Sequence, residues 1–560
     1  MAAIRKIEIT NFRGIQNLSW VPSPHLNCIV GPGDSGKSTI LDAVDICLES
    51  RRSLNLDDSD FYCLKAEEGF YIRVTIGSLP DSMLSLESYA RYLRGFDSSS
   101  GEIEEEPSAA LEPVITVELR ADEYLQPIRS LFATRQGEPC EERRLRWGDA
   151  ELLAPARIGT YTNSQFSWLK GSVLSRLAEE EFDPSGELAV AARKTRVDFG
   201  ESVSGQLAET LKTVEEEASL VGVENTDDLQ ALLDPRSVSL KSGAVSIHDK
   251  RGVPLRKLGQ GSIRLLTAAL RQKSARKQGV LLADEVEIGL EPARIAAFLT
   301  EIGARNTTGA QCLLTTHSPV VIRELTHKQI WILRTSEDGV CELKACQIED
   351  QGVLRASAEA FLSRQVMVCE GPTEVGFHRG LRLWRRQEGG LGADPYAVNA
   401  GGCSKLYSPA SSFLELGYTT AVFRDDDVKP DEGAEESFTT SGGTVFKWRE
   451  GEAIEDALFL GLPDEAVREM ALLAAEYHGA QKIWDNLQSA NGGSLGGDLE
   501  SWLEDLDEDK RSLLGKAAKS GASWFKRIDF MERAALEIVG PSLEDSEESL
   551  RSVAQEILEW

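Results

Sequence analysis

Acidic residues follow two short apolar segments in the second half of the chain. The segment VMVC leads directly to Glu370, and Glu374 follows after a Gly-Pro turn. The segment AVFR leads to three consecutive aspartates at 425–427. In α/β proteins the carboxyl ends of parallel strands meet at one edge of the sheet, where sites are built. Clustered carboxylates repel one another unless a divalent cation lies among them, so this pattern predicts a metal site that could activate water against a phosphodiester.

Spacing within these segments predicts a role for each carboxylate. Asp425 and Asp427 are two positions apart, so in an extended chain they point to the same side, and Asp426 points away. Glu370 is the predicted general acid or base. The residues predicted to ligate the metal and to take part in catalysis are Glu370, Glu374, Asp425 and Asp427.

Two later residues extend this predicted site. Glu455 and Asp456, in the segment GEAIEDAL, are candidates for secondary ligands or for groups that support the ligands, and Glu455 is the one predicted to bind metal. Lys526, in SWFKRI, could neutralise the scissile phosphate, although a single lysine in a helical tail is more often a surface residue.

The first half of the chain contains a phosphate-binding motif. Residues 31–38, GPGDSGKS, fit the pattern G-x-x-x-x-G-K-[ST] and lie between an apolar strand and a helix. Backbone N–H groups of such a loop surround phosphates, Lys37 reaches the β and γ phosphates, and Ser38 can ligate magnesium. The residues predicted to bind ATP here are Gly31, Gly33, Asp34, Ser35, Gly36, Lys37, Ser38 and Thr39.

Two later strand ends complete the predicted ATP site. Asp284 ends the apolar strand in GVLLADE and can hold magnesium, and the adjacent Glu285 can orient an attacking water. His317 follows the strand in CLLTTHS and is similar to the histidine that senses the γ phosphate in ABC-type ATPases.

The segment GQGS is the candidate signature motif. Gly259, Gly261 and Ser262 precede the helix IRLLTAAL, whose N-terminal dipole favours an anion. The order of NFRGI, phosphate loop, insertion, GQGS, DE and His resembles ABC ATPases of the RecF and SMC type. That resemblance implies a homodimer with ATP between two copies, but the GQGS segment departs from the usual Ser-Gly-Gly core.

The acidic segments resemble a second family. A strand ending in Glu370, the strand PYAVNAGG and a strand ending in Asp-x-Asp resemble the Toprim domain of topoisomerases, primases and some nucleases. An ABC ATPase followed by Toprim resembles the OLD (overcoming lysogenisation defect) nucleases, including the Gabija nuclease type. The resemblance implies an ATPase-regulated DNA endonuclease with magnesium or manganese at both sites. It also implies a homodimer or tetramer, a role in anti-phage defence, and in some members a helicase or reverse-transcriptase-containing partner.

The predicted fold class is α/β in both parts of the chain. A RecF/SMC-like P-loop ATPase with a helical insertion precedes a Toprim α/β domain with a helical tail. The predicted boundaries are 1–163 and 241–350 for the two ATPase segments, 164–240 for a helical insertion expected to dimerise, 360–463 for the Toprim core, and 464–560 for the helical part of the nuclease region.

Composition limits the other possibilities. The net charge of −30 argues against a uniformly basic surface for nucleic acid, although a local basic groove is compatible with it. The sequence has no apolar run of the roughly 18 to 20 residues that cross a bilayer, and its charged start is unlike a signal peptide. We interpret the chain as cytoplasmic and not membrane-bound, with nine cysteines that lack any C-x-x-C pair and are expected to be reduced.

Other functions remain as alternatives. The main one is a RecF/SMC-like ATP-driven DNA repair or scaffold protein in which the Toprim-like part is inert. A topoisomerase needs a tyrosine nucleophile on a separate DNA-gate domain, which Tyr407, Tyr418 and Tyr477 do not indicate. A primase normally has a zinc module, and the cysteine spacing does not provide one.

Overall fold

The computed structural model describes most of the chain. The described residues are 2–49, 54–158, 185–220, 229, 247–305, 310–390, 395–520 and 523–560. Of the predicted insertion at 164–240, residues 185–220 and position 229 are included, and the remainder of that prediction lies outside the described residues.

A large mixed sheet forms the first half of the molecule. Its strands are β1 Ala3–Phe12, β2 Ile15–Trp20, β3 Leu26–Val30, β4 Phe70–Gly77, β5 Leu93–Phe96, β6 Ile103–Glu104, β7 Glu112–Ala121, β8 Ile128–Phe132, β11 Ala156–Ile158, β12 Val280–Ala283, β13 Gln311–Thr315, β14 Ile330–Thr335 and β15 Val340–Ala345. The order across the sheet is β11-β12-β13-β3-β14-β15-β2-β1-β4-β7-β5-β6, with β8 paired to β7. A separate two-residue hairpin pairs β9 Thr134–Arg135 with β10 Glu138–Pro139.

The parallel part of this sheet positions the predicted ATP residues. All five residues of β3, LNCIV, are buried, as a mostly apolar strand with sheet on both sides predicts. The polar one, Asn27, donates from its side-chain amide to the Ser23 carbonyl. Strands β12, β13 and β3 are adjacent and parallel. The phosphate loop, Asp284 and His317 therefore all follow strand ends at the same edge.

A smaller, fully parallel sheet forms the second half. Its strands are β16 Gln365–Cys369, β17 Tyr396–Asn399, β18 Thr419–Arg424 and β19 Thr444–Lys447, in the order β17-β16-β18-β19. In this register Cys369 lies opposite Phe423, so Glu370 and Asp425 leave neighbouring strands at the same edge. The prediction that the two acidic segments follow parallel strands at a shared edge is confirmed.

Helices flank both sheets. In the first half they are Lys37–Leu48, Leu86–Tyr89, Trp147–Leu153, Ser185–Leu220, Gln260–Gln278, Pro292–Glu301, Pro319–Glu324 and Gln351–Ala356. In the second half they are Pro372–Gln387, Tyr407–Glu415, Glu432–Thr440, Ile454–Gly461, Asp464–His478, Ala480–Asn491, Leu499–Trp502, Glu508–Lys519, Ile528–Ala534 and Glu548–Glu559.

The two sheets share one hydrophobic core. Side chains of the first half, including Ile322, pack in the same buried cluster as Phe361, Val366 and Tyr418 from the second. The Arg334 guanidinium, at the end of β14, lies 3.4 Å from the centre of the Tyr418 ring just before β18. The ATPase sheet and the carboxylate sheet therefore contact each other directly.

The described part of the predicted insertion is helical. It forms one exposed 36-residue helix, Ser185–Leu220. Beyond the insertion, His248 forms an isolated bridge to Pro254. Within the described residues, no helix is both long and apolar enough to cross a bilayer, and all nine cysteines are free thiols.

Candidate active sites

The phosphate loop holds its lysine against its own backbone. Gly36 caps the helix Lys37–Leu48 with φ of 92°, a conformation that favours glycine. The Lys37 ammonium donates to the carbonyls of Gly31 at 3.1 Å and Pro32 at 2.7 Å. Burial lowers the pKa of Lys37 to about 8, although nearby carboxylates such as Asp34 oppose the change. A phosphate would offer this buried ammonium a charged partner, which makes a stronger hydrogen bond than a carbonyl.

The predicted magnesium ligands of the ATP site contact each other. The Ser38 hydroxyl donates to Asp284 Oδ1 at 2.9 Å, and the Thr315 hydroxyl donates to the same oxygen at 2.6 Å. Arg157 lies 3.8 Å from Asp284 Oδ2. A hydroxyl and a carboxylate side by side behind a phosphate loop fit the donor set that magnesium takes with ATP.

Glu285 has a strained backbone that two neighbours hold in place. Its φ is 44°, in the left-handed region that a residue with a side chain rarely adopts. Its N–H donates to the Thr315 hydroxyl at 2.9 Å, and its carbonyl accepts from the buried Arg264 at 3.0 Å. This fixed conformation is compatible with the predicted role in orienting water.

Glu287 is a residue of this site that the sequence reasoning missed. It accepts from the Thr316 hydroxyl at 2.7 Å and from the His317 backbone N–H at 2.6 Å. The exposed His317 is thus held close to the segment that follows Asp284. The signal in the sequence was the second glutamate of DEVE, two positions after Glu285.

The GQGS segment packs against the loop that follows Glu287 in the same chain. A Cβ atom on Gly261 would lie 2.2 Å from the Gly289 carbonyl oxygen, so only glycine fits there. Arg294 donates to the Ser262 hydroxyl at 3.1 Å. A Cβ on Gly259 would meet no atom within 4 Å, so that end of the turn is open. Contact of this turn with ATP of a second copy stays a prediction.

The second candidate site begins where β16 and β18 end. The Glu370 N–H donates to the Phe423 carbonyl at 2.9 Å, and the Gly402 N–H donates to the Glu370 carbonyl at 2.8 Å. The Glu370 side chain accepts from the Asp425 N–H at 3.3 Å. Glu370 therefore lies between the β17 and β18 ends, as the strand order requires.

Two helix starts supply the other buried acids. Glu374, only 3% exposed, lies in the first turn of the helix Pro372–Gln387 and accepts from the Gly371 N–H at 2.7 Å. Glu455, 6% exposed, lies in the first turn of the helix Ile454–Gly461. The Ile454 N–H of that helix donates to Asp425 Oδ1 at 2.9 Å. One backbone N–H therefore orients the Glu374 carboxylate and another the Asp425 carboxylate.

The buried acids of this site act on one another's pKa. Burial, with the charges of Glu455 and Glu370, raises the pKa of Glu374 to about 7. Burial, with the charges of Glu374, Glu455 and Glu370, raises the pKa of Asp425 to about 10. Burial also raises the pKa of Glu455 to about 7, while the Lys519 and Lys526 charges oppose it. Four carboxylates thus share one poorly solvated region and repel each other.

The three aspartates after β18 lie in different environments. The strand ends at Arg424, so the alternation expected for an extended strand does not strictly apply to them. Asp427 is exposed, yet its charge contributes, after burial, to the raised pKa of Glu370. Asp426 is buried, and although burial alone would raise its pKa, hydrogen bonds from Lys429 and Arg424 lower it. Lys429 and Arg424 therefore compensate the charge of Asp426 outside the acid cluster. This agrees with the expectation that Asp426 points away.

Basic residues reach the edge of this cluster. Lys526 is exposed, and its charge lowers the pKa of Glu455, which places it near the acids without a direct ion pair to them. Lys519, which the sequence reasoning missed, pairs with Asp456. Asp456 also accepts from the Ala453 N–H at 3.1 Å and so caps its helix, which leaves Glu455 as the candidate ligand of that pair.

The donor chemistry of the cluster fits a divalent cation. Its oxygens are those that magnesium and manganese prefer, and its repelling charges are those that a cation would offset. Among the described residues, no three His, Cys, Asp or Glu side chains are already arranged closely enough to hold a metal ion. Metal ligation by Glu370, Glu374, Asp425, Asp427 and Glu455 therefore stays a prediction.

Comparisons with known proteins concern the first half of the chain most directly. The family model described as "AAA ATPase domain" matches residues 3–113, and the model described as "AAA domain, putative AbiEii toxin, Type IV TA system" matches residues 174–323. The DNA replication and repair protein RecF of Shewanella baltica (strain OS155) is 25% identical over 354 residues, which cover 58% of this chain and 95% of that protein. RecF of Lachnoclostridium phytofermentans is 34% identical over 73 residues, 13% of this chain and 20% of that protein.

Solved structures of SMC heads overlap the chain only loosely. An SMC head bound to the C-winged helix domain of ScpA is 16% identical and covers 62% of this chain and 98% of its own, with a TM-score of 0.33. The SMC head domain from Thermotoga maritima is 14% identical and covers 62% and 100%, with a TM-score of 0.29. Similarity at this level supports no further conclusion. The family models and the RecF similarity together show an ATPase domain of the AAA/ABC type, similar to RecF.

Proposed function

We propose that the chain is an ATP-binding, metal-dependent DNA endonuclease of the OLD type, in which a Toprim-like sheet cuts and the ATPase domain regulates cutting. The observation that carries the proposal is the acid cluster around Glu374, Asp425 and Glu455. Burial raises the pKa of all three carboxylates, and the charges of neighbouring acids in the cluster raise those of Glu374 and Asp425 further. These acids follow strands of a separate sheet, and the ATP site has its own Asp284 and Glu285. The ATP site therefore does not account for the second cluster.

The proposed roles divide the acids between metal binding and proton transfer. When bound, magnesium or manganese supplies charge for the attacking water and the leaving oxygen. Glu374, Asp425, Asp427 and Glu455 would hold it, together with Glu370. Glu370 is partly exposed, so water can reach it, and we assign it the role of moving a proton to or from that water. Burial raises its pKa, the direction that favours a proton-transfer role.

DNA is the proposed substrate for two reasons. The curated relatives of the ATPase domain are DNA replication and repair proteins. The exposed Lys526 lies near the acids and offers a positive charge to a phosphate in an otherwise acidic chain of net charge −30. The resemblance to OLD nucleases extends the proposal to a homodimer or tetramer, to anti-phage defence and to a helicase or reverse-transcriptase-containing partner.

Regulation by ATP is supported by contacts at the end of β14. The Thr335 hydroxyl donates to the Ser35 carbonyl of the phosphate loop at 2.9 Å. The preceding residue, Arg334, packs on the Tyr418 ring, and Tyr418 directly precedes the strand that ends before Asp425. A change in the phosphate loop on binding ATP can therefore reach the acid cluster through two adjacent residues of one strand.

Cleavage of supercoiled plasmid tests the proposed function. We expect purified protein to nick the plasmid with magnesium or manganese, and Glu370→Ala to reduce nicking by at least about 100-fold, as loss of a catalytic proton-transfer group does. The exposed Glu436→Ala is the matched control, because it removes a carboxylate of the same domain outside the cluster. Equal cutting by wild type and Glu370→Ala would exclude this site assignment.

A RecF-like repair or scaffold protein with an inert second sheet is the other candidate. The similarity to RecF over 95% of that protein's length favours it. ATP-dependent DNA binding without metal-dependent nicking, in protein that retains its ATPase activity, would support this candidate against the nuclease.

A further inference from the structure

Asp426 lies beside the acid cluster and differs from its members because both of its carboxylate oxygens accept hydrogen bonds from protein donors. Asp426 is 3% exposed, and its two carboxylate oxygens accept from Arg424 Nη1 and Lys429 Nζ, each at 2.9 Å. Its second oxygen also accepts from the Gly451 N–H at 3.3 Å. A carboxylate so fully used by protein donors is a poor metal ligand and a strong structural link.

The contacts of Asp426 join the two segments that carry metal-site acids. Its own N–H donates to the Glu452 carbonyl at 3.0 Å, in the turn that precedes the helix with Glu455. The loop with Asp425 and the start of that helix are thus tied at two backbone points by one residue. The Ile454 N–H, which orients the Asp425 carboxylate, belongs to the same turn-to-helix junction.

A further set of hydrogen bonds, made by Arg424, holds Asp426 at the end of β18. Arg424 Nη1 donates to Asp426 and also to the Asp425 carbonyl at 2.6 Å, while Arg424 Nε donates to Glu435 at 3.0 Å. Tyr407 donates to the same Glu435 carboxylate. The guanidinium is 2% exposed, so this network is shielded from water and holds its geometry.

We propose that Asp426 is a positioning residue that sets the separation between the Asp425 and Glu455 carboxylates, so that both can face one divalent cation. The inference rests on the proposed function of the acid cluster. Asp426 touches neither metal nor DNA in this account. It acts through the backbone of Asp425 and through the turn before Glu455.

Substitutions at Asp426 test the proposal in full-length protein. Asp426→Ala removes the side-chain contacts with Arg424, Lys429 and Gly451 and keeps the backbone hydrogen bond to Glu452. Asp426→Asn keeps an oxygen for Gly451 and loses the ionic contacts. Outer partners of metal ligands typically change metal affinity or activity by about 10–100-fold. We expect Asp426→Ala to weaken Mn²⁺ binding and lower kcat for nicking within that range, with an unchanged KM for DNA, and Asp426→Asn to show a smaller loss.

The measurements are calorimetric titration of Mn²⁺ without nucleotide and steady-state nicking of supercoiled plasmid. Asp431→Asn is the matched control, since Asp431 is an exposed helix cap and asparagine caps equally well. A thermal melt of each variant reports folding, and if Asp426→Ala does not fold, Asp426→Asn decides the question. Wild-type Mn²⁺ affinity and kcat in Asp426→Asn would then overturn the proposal.

The outcomes separate this inference from the proposed function. Wild-type protein that binds Mn²⁺ without nicking, with binding weakened in the Asp426 variants, would support the positioning role and contradict the nuclease. Wild-type protein that nicks, with Asp426 variants that match it in kcat and Mn²⁺ affinity, would contradict the positioning role alone. Wild-type protein that neither binds Mn²⁺ without nucleotide nor nicks would overturn both.

Discussion

The two acidic sites of this molecule differ in how the negative charge of their carboxylates is compensated. At the ATP site, Asp284 accepts from two hydroxyls, of Ser38 and Thr315, and Arg157 lies near its other oxygen. At the second site, Glu374 and Asp425 face other carboxylates and are held mainly by backbone N–H groups. At the ATP site, neighbouring side chains compensate the charge of Asp284. At the second site, the carboxylate charges lack such partners, and a bound cation would offset them.

This difference indicates what each site requires for activity. The ATP site can keep its geometry without a ligand, because two hydroxyl donors already satisfy Asp284, its predicted magnesium ligand. In the second site, protonation of the carboxylates can relieve their repulsion in place of a cation. A protonated carboxyl group, however, no longer has the charge that ligates a metal. We therefore expect the second site to respond strongly to metal and pH, and the ATP site to respond mainly to nucleotide.

The largest expected effect is at the ATP site. Lys37→Ala removes the buried ammonium from the phosphate loop, so ATP hydrolysis should fall by at least about 100-fold, because electrostatic stabilisation of the transferred phosphoryl group is lost. A phosphate-release assay measures it, with the exposed Lys65→Ala as control. Retention of wild-type hydrolysis in Lys37→Ala would place the nucleotide elsewhere.

The same charge-removing substitution should act differently at the two sites. Glu455→Gln removes a charge from the repelling cluster, so we expect about 10–100-fold weaker Mn²⁺ binding together with a higher melting temperature in EDTA. Asp284→Asn removes a charge that three neighbours already satisfy, and we expect no rise in melting temperature. A melting temperature that rises in both variants or in neither would contradict the contrast between the sites.

Contact between the two sheets predicts a smaller effect. Arg334→Gln removes the guanidinium that packs on Tyr418, so the ratio of nicking rates with and without ATP should move several-fold toward one. Basal nicking and ATP hydrolysis should change less, because neither site loses a residue. Glu337→Gln, exposed just beyond β14, is the control. An unchanged ratio in Arg334→Gln would exclude this route of communication.

The smallest expected effect is on stability as a function of pH. The folded-state pKa values of Glu374 and Glu455 are raised to about 7, from about 4.3 for an unperturbed glutamate. The folded state therefore binds more protons, so this contribution to stability is fully present below about pH 4.3 and is lost as pH rises through about 7. In EDTA, the melting temperature should fall by a few degrees more between pH 6 and pH 8 in wild type than in Glu374→Gln. Equal pH dependence in the two proteins would argue that Glu374 is not an uncompensated buried acid.

The strands and the acidic residues at their ends were readable from the sequence because they depend on local patterns. Uninterrupted apolar runs predicted buried parallel strands, and acidic residues directly after Cys369 and at Asp425 predicted a shared edge. Glu374 was found through its place in a helix start after Gly-Pro. These inferences need only the geometry of one strand or one turn.

Contacts between distant residues were not readable in the same way. Lys519 reaches Asp456 across 63 positions, and nothing in the local pattern around either residue predicts the pairing. The link of Asp426 to Gly451 spans 25 positions and depends on where β18 stops. Tertiary packing decides such features, and local propensity does not.

A double dissociation on one set of preparations tests the central claim most directly. ATP hydrolysis and magnesium-dependent plasmid nicking are measured for wild type, Lys37→Ala and Asp425→Asn. Circular dichroism first verifies that each protein is folded. Two separate sites predict that Lys37→Ala loses hydrolysis and still nicks, whereas Asp425→Asn loses nicking and still hydrolyses ATP. Nicking that is unchanged in Asp425→Asn, or absent from wild type with either metal, would contradict a nuclease site on the second sheet.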